Sequence, residues 1–544
     1  MTVPPGVSLA LTAGPLTDPV TWTRIDNLAG LEIESITIKR GRPTERDKTM
    51  PGTVTITGID SEGVLDPTNT GSPLYPDLVP TKQAAVTLYN PNTGVWNWLF
   101  RGHVSSITHD LDPSKKWTTF ELELVDMLDI LNDAEIIPDQ AGNTVPSESE
   151  GDVYYTGQHI DDRLLAVLAD TGTAFMGQIW PVSLLQIASG NVNVQGRVYS
   201  RGTSLLQVID EACDAEFPGA TNRFITFDGA FAFRGRYYRV VPTAYIPADN
   251  TTRSSGTRML HWHVGDLEAY DADNTLAVPQ NVKFKIDKTD LINTALVSPI
   301  GISDAELASG SQFDSDATSI GDYGPRTSGM SLENLITDTA DDGNTALQET
   351  ATFATATVHN YKDPVTFVNE IVFRNPVKSD GDYAARWKLL SGIELSDLFT
   401  YTGSNPGGGG FSAVDHYVEE LGYELKPLQG DEWDVTLTVG LSSRQHFTYI
   451  PASWNPPASG GGSTLAAHFS WVANSLAVQF YDESTPGPSG PITGWSWNFG
   501  DSNTSTSVNP AHTYASAGTY TVTLTVTGTS PDGTASVSKS VTVA

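Results

Sequence analysis

Residues 30 to 135 alternate between apolar and polar side chains. Ile36 and Ile38 alternate with Thr37 and Lys39, Val54 and Ile56 with Thr55 and Thr57, and Phe120, Leu122 and Leu124 with Glu121 and Glu123. A period of two puts every second side chain on one face, so these stretches predict strands with one buried side. Turn formers separate them at Arg40-Gly41-Arg42-Pro43, Asp60-Ser61-Glu62-Gly63 and Leu65-Asp66-Pro67. Beyond residue 136 the period changes. Ile160, Leu164, Leu165 and Leu168 recur at helical spacing. Ser204 with Gln207 forms a capping box that starts a second helix, whose apolar face is Leu205, Leu206, Ile209, Ala212 and Cys213. Pro218-Gly219 stops it. Phe224 to Phe227 and Ala230 to Phe233 flank Asp228-Gly229, a hairpin signal because Asp-Gly supplies positive φ at the turn.

Residues 271 to 450 predict further strands and one helix near Asp341 to His359. Residues 451 to 464 read Pro-Ala-Ser-Trp-Asn-Pro-Pro-Ala-Ser-Gly-Gly-Gly-Ser-Thr, a linker composition. From about residue 466 the pattern is all β. The expected organisation is an N-terminal β domain (1–135), a mixed α+β segment (136–270), a second β domain (271–450), a linker (451–465) and a terminal β domain (466–544). The fold class is mainly β with some α, and multidomain, since 544 residues exceed one ordinary core. Composition agrees. Charged residues are only 17%, and the abundance of Thr, Ser, Gly, Asn and Pro suits strands and turns over long helices. Aromatics at 9% supply enough bulk to fill cores, which excludes wholesale disorder.

The net charge of −33 repels a phosphate backbone, so specific nucleic-acid binding is not expected. A single cysteine, Cys213, rules out an intrachain disulfide, and its place on a helical apolar face makes it a core residue. Residues 1 to 15 lack the basic start and apolar run of a signal peptide, and no apolar stretch reaches the roughly 20 residues of a membrane span. Folding in the cytoplasm is therefore expected.

The last segment carries three motifs in order. They are Trp495-Ser496-Trp497-Asn498-Phe499-Gly500-Asp501, then Asn509-Pro510-Ala511-His512-Thr513-Tyr514, then Gly518-Thr519-Tyr520 running through Val526. Together with Val478 and Phe480 on an early strand, they resemble the W-x-F-G-D, N-P-x-H-x-Y and closing-strand signatures of the PKD domain family. That resemblance implies a seven-stranded immunoglobulin-like sandwich. Trp495 and Trp497 could form a sugar-stacking platform, but their alternation with Phe499 points to core. Ser502 stands where the family usually has a second glycine.

A second ordered set lies upstream. It begins with Ile36-Thr37-Ile38-Lys39-Arg40-Gly41-Arg42, Val54 to Thr57, Asp60-Ser61-Glu62-Gly63, Asp66-Pro67 and Ser72-Pro73-Leu74-Tyr75. It continues with Phe100-Arg101-Gly102-His103-Val104, Asp126-Met127-Leu128, the Gln207 to Arg234 helix and hairpin, and Tyr323-Gly324-Pro325-Arg326. Tyr361-Lys362-Asp363-Pro364, Ile393 to Leu398 (with Ser396 at a usual glycine) and Trp433 to Val439 complete it. The set resembles actinophage-type minor tail proteins over most of residues 30 to 445. It implies hub-like β-barrel domains around a tail axis, usually as a homotrimer. It also implies a virion tail-tip location after assembly in the host cytoplasm. The partners implied are other phage tail proteins: the distal tail protein, the tape measure and further minor tail proteins. For residues 466–544, contact with host envelope glycans and a spacer role both stay open.

No catalytic, cofactor or metal residues are expected. His261-Trp262-His263 with Asp266 could place two imidazoles on one strand face, but zinc needs further ligands at defined spacing. Asp338, Asp341 and Asp342 lack the late Glu of a calcium loop and suit a helix start. The Gly403 to Gly410 loop lacks the Lys and Ser/Thr of a phosphate-binding loop. Two alternatives remain. A distal-tail adaptor would form hexamers, and a glycan-active surface enzyme with a PKD accessory module would need a catalytic domain that is not readable.

Overall fold

The computed structural model describes residues 5–11, 14, 18, 20–111, 118–135, 153–155, 158–169, 184–187, 193–194, 197–200, 202–216, 222–235, 237–242, 246, 259–265, 276–286, 290–299, 312–332, 346–404, 410–428, 432–450, 467, 469–474, 476–482, 484, 492–507, 510–528 and 533–543. The chain divides into two units, residues 1–240 with 261–454, and residues 241–260 with 455–544.

The first unit is organised by one 13-stranded sheet. Its N-terminal half contains β1 (Gly6–Ala10), β2 (Leu31–Gly41), β3 (Met50–Asp60), β4 (Gln83–Asn90), β5 (Val95–Leu111) and β6 (Thr118–Val125). The alternation read from sequence holds. On β2, Ile36 and Ile38 are fully buried, and Leu122 and Leu124 do the same on β6. The mixed segment supplies α1 (Ile160–Ala169), α2 (Leu205–Asp214), the hairpin β7 (Asn222–Ile225) and β8 (Phe231–Arg234), and the short helix α3 (Tyr237–Val240). Ser204 caps α2 by accepting from Gln207 N at 3.2 Å, and Gly229 adopts φ 87° in the hairpin turn, both as the sequence predicts. Cys213 is buried on the apolar face of α2.

The C-terminal half holds β9 (His261–Gly265), β10 (Asn281–Lys285), β11 (Thr294–Pro299), β12 (Gln312–Ser315), α4 (Ala317–Tyr323), β13 (Thr327–Leu332) and α5 (Ala346–Tyr361). After these come β14 (Phe367–Arg374), α6 (Tyr383–Leu390), β15 (Leu398–Ser404), β16 (Gly410–Pro427) and β17 (Trp433–Ser443). The helix expected from Asp341 is described from Ala346; its first expected residues lie outside the described set.

The large sheet runs β10-β14-β17-β16-β2-β3-β6-β5-β4-β1, then residues 23–24, with β15 on β16 and β9 on β15. Barrel domains were expected on either side of the mixed segment. β2 of the N-terminal half pairs antiparallel with β16 of the C-terminal half, through Ile36 opposite Leu425 and Ile38 opposite Tyr423. The two halves share a ladder because both edge strands bury alternate faces, and pairing satisfies both rows of backbone groups. Among the described residues no ladder closes into a barrel.

The second unit ends in a sandwich. β18 (Phe469–Asn474), β19 (Ala477–Asp482) and β21 (Ala511–Thr513) form a three-stranded sheet. β20 (Ile492–Asn498), β22 (Gly518–Gly528), β23 (Thr534–Val543) and the two-residue strand Thr504–Ser505 form a four-stranded one. Phe469, Phe480, Trp497, Phe499, Tyr514, Val522, Leu524 and Val526 fill the space between them. Trp497 is buried as predicted, with the Phe469 ring edge-on at 5.1 Å and its Nε1 donating to Ser507 O at 2.9 Å. Trp495 packs partly buried against the same core.

Candidate functional site

The densest chemistry in the first unit lies at the β2–β16 seam, and it starts with two strand irregularities. The β2–β3 register shifts between Lys39 and Gly41, so that Pro51 and Gly52 of β3 together stand opposite Arg40. The β16–β17 register shifts between Val418 and Glu420, leaving Glu419 as an extra residue. Arg40 keeps the period of the buried Ile36 and Ile38, and Glu419 lies on the buried side of β16 at its bulge, so both charged groups are carried into the interior. Gly41 sits between them at φ 106°, and a Cβ there would lie 2.0 Å from Glu419 O. The middle residue of the Arg-Gly-Arg motif is therefore glycine for close backbone approach as well as for its φ.

The arginines answer the carboxylates. Arg40 Nη2 lies 2.7 Å from Glu394 Oε1 and also donates to Ile225 O at 2.6 Å. Glu394 further accepts from Phe227 N at 2.7 Å and Leu395 N at 2.8 Å. Arg42 Nε donates to Glu419 Oε2 at 2.8 Å. Arg239, on α3, forks onto both oxygens of Glu419, with Nη2 at 3.1 Å from Oε2. Its Nε donates to Ser396 Oγ at 2.9 Å, and its guanidinium lies over the rings of Tyr417 and Phe447 at 5.3 and 5.2 Å. Ser442 Oγ completes Glu419 at 2.7 Å. Burial alone would raise the Glu419 carboxyl, but the Arg239 and Arg42 charges hold it below the usual carboxylate range. Burial outweighs Glu419 at Arg42 and lowers that guanidinium.

Next to it, Glu45 receives His446 Nδ1 at 2.8 Å and Tyr361 Oη at 3.2 Å. Burial pushes Glu45 up, but its His446 partner and Arg42 overcome that and leave it at about 2. Asp126, from the Asp-Met-Leu motif, accepts from Gly52 N at 2.6 Å and Leu128 N at 2.9 Å. Burial dominates there and pushes its carboxyl up to about 7.

This arrangement binds chain to chain. Each oxygen of Glu394, Glu419 and Asp126 is already held by a guanidinium, a hydroxyl or a backbone N–H, so the set forms a clamp that joins β2, the hairpin, α3 and β16. The tail-like motifs fall on such joints. Gly102 brings its backbone close to Val125 O, Arg101 ties Gln83 to Asp18, and Gly324 caps α4 at φ 74°. Ser396 and Ser502, which replace expected glycines, both have positive φ, 69° and 77°.

Of the residues singled out for chemistry, His261 and His263 do come together, with ring centroids 4.1 Å apart. Burial, with the neighbouring imidazole, lowers His261 to about 4. Its Nε2 meets Thr400 Oγ1 at 2.6 Å, and Thr400 donates to Asp415 Oδ1 at 2.5 Å. Among the described residues no three His, Cys, Asp or Glu side chains gather as a metal set. Asp266, Asp338, Asp341 and Asp342 lie outside the described residues, as do residues 405–409 of the glycine-rich loop. Glu45, Arg239, Glu419 and His446 were not found from sequence. Their only signal is a charge inside a buried strand, as Glu419 interrupts Val418 and Leu421.

Comparison with known proteins follows the same division. The family model described as PKD domain matches residues 465–543. No curated protein matches the chain. A tail protein from Neisseria meningitidis MC58 is similar in structure, at 11% identity over 82% of this chain and 99% of its own, with a TM-score of 0.45. The 43 kDa tail protein of prophage MuSo2 from Shewanella oneidensis is similar at 8% identity over 81% and 99%, with a TM-score of 0.44. The PKD1 domain of the Vibrio cholerae metalloprotease PrtV is similar at 32% identity over 15% of this chain and 96% of its own, with a TM-score of 0.14. Among the described residues no helix is long and apolar enough to cross a membrane. Residues 465–543 are a PKD domain, closing a chain whose upstream unit carries the joints of the tail-like motifs.

Proposed function

We propose that this chain is a structural component of a phage tail, a minor tail protein of the tail tip, and that it acts by shape and contact. The observation that carries the reading is the placement of the ordered motif set. The Arg-Gly-Arg, Phe-Arg-Gly-His, Asp-x-Leu and Ile393 to Leu398 segments sit at the bulges, close approaches and buried ion pairs that weld two β halves into one sheet. Motifs placed at a joint fit a load-carrying part better than a reaction centre, and the reading assigns no catalysis to the chain. The finer expectations go with it: a homotrimeric hub, and contacts with the distal tail protein, the tape measure and other tail proteins. Quantitative mass spectrometry of purified particles tests this. Three copies per tail are expected, and absence of the chain from particles would end the proposal.

For the PKD domain, host attachment through glycans is supported by an outer face of hydroxyls, Thr523, Thr525 and Thr527 facing Ser538, Ser536 and Thr534 across the ladder. A spacer role is favoured by the same face, because Thr523 bonds Ser538 at 2.8 Å and Thr525 bonds Ser536 at 2.7 Å, spending hydroxyls on each other. Adsorption by particles lacking residues 466–544 separates the two. Slower adsorption at low cell density is expected for attachment, and an unchanged rate leaves the spacer.

A further inference from the structure

The small sheet β12-β11-β13 in the first unit has two unlike faces. Ala295 and Val297 of β11 are fully buried on the side where α5 packs. Among the described residues the other side is open, and a row crosses it at the middle. Phe313 on β12 pairs with Leu296 on β11, which pairs in turn with Gly329 on β13. Phe313 is 63% exposed and Leu296 42%, and among the described residues nothing lies within 4 Å of where a Gly329 Cβ would stand. The row is thus a projecting ring, a smaller apolar side chain and an empty notch, on strands about 4.8 Å apart.

The surrounding outward positions, Thr294, Ser315 and Thr327, are uncharged. In a chain with a net charge of −33 this matters for what covers the face. A basic partner would gain nothing from an uncharged patch. A second copy of this chain carries the same negative field and can approach closely only where charge is missing. The shape points the same way. Rotation by 180° about an axis along β11 sets Leu296 opposite Leu296 and places each Phe313 over the Gly329 notch of the other copy. Such a self-complementary patch is what a two-fold contact requires.

We infer that the open face of β12-β11-β13 is a two-fold self-association surface in which Phe313 of one copy enters the notch at Gly329 of another. The inference does not depend on a tail role. A two-fold contact cannot close a three-membered ring, so it joins free chains or two rings. Strands of four to six residues make a small face beside the roughly 800 Å² per partner of a stable interface, so association is concentration-dependent.

Disulfide trapping of the full chain tests it. Leu296→Cys places a thiol on the two-fold axis, and the native Cys213 is buried and does not compete. Under mild oxidation Leu296→Cys is expected to give several-fold more covalent dimer than Val377→Cys, a control at another exposed apolar position. Adding Phe313→Glu is expected to remove that excess while the circular dichroism and melting stay unchanged. Equal dimer from Leu296→Cys and Val377→Cys overturns the inference, as does a dimer yield indifferent to Phe313→Glu.

Discussion

Arg40 and Glu394 stand 354 residues apart in the chain and 2.7 Å apart in space, with 3% of each side chain exposed. Each is desolvated, and each is the other's main compensation. Because Glu394 also accepts from two backbone N–H groups, the pair fixes the hairpin turn and the Ile393–Leu398 segment to the end of β2.

Removing one partner strands the other. Arg40→Met or Glu394→Met alone is expected to destabilise the first unit by about 3–5 kcal/mol in denaturant unfolding, the usual cost of an uncompensated buried charge. The double variant Arg40→Met/Glu394→Met should recover part of the loss. Strictly additive losses would mean the two groups are not coupled.

Two buried carboxylates give opposite pH slopes. Asp126 has its folded pKa raised to about 7, so the unfolded chain releases the proton first and stability falls as pH rises from about 4 to 7. Glu45, held at about 2, contributes stability above the unfolded value near 4.5 that is lost as pH falls toward 2. Asp126→Asn should flatten the upper window, and Glu45→Gln the lower, in melting temperatures measured across pH. Unchanged slopes would refute the assignment.

The two serines at positive φ should respond differently to glycine. Ser502 is exposed in a turn, so Ser502→Gly relieves αL strain and is expected to stabilise the PKD domain by up to about 1 kcal/mol. Ser396 is buried and accepts from Arg239 Nε, so Ser396→Gly also leaves a buried donor unmet. A net loss of about 1–2 kcal/mol is expected there, measured by thermal unfolding of each variant.

Trp497→Ala should unfold the PKD domain, since large-to-small changes at fully buried aromatics cost about 3–5 kcal/mol. Deleting residues 466–544 should leave the melting transition of the upstream unit in place. Loss of that transition in the truncated chain would show that the domain is needed for the remainder to fold.

Much was legible in the sequence where the deciding physics is local. Alternation set the faces of β2, β3 and β6, because a strand with one wet side needs period two whatever it pairs with. Ser204 and Gln207 marked the start of α2, Asp228-Gly229 marked the hairpin, and Trp497 and Phe499 declared themselves as core, each within a few residues of chain. The family's glycine positions at Ser396 and Ser502 agree with the positive φ that both serines adopt in the structure. What the tertiary structure alone decided is how distant pieces meet. No local pattern says that β2 pairs with β16, bringing both halves into one sheet, since either edge could satisfy its backbone groups on many partners. Nor does any local pattern say that Arg42 and Arg239 share Glu419, or that Glu45 meets His446 across 401 residues. A charged side chain carries no address for its partner, and the low dielectric that makes the pairing compulsory exists only after the fold has closed around it.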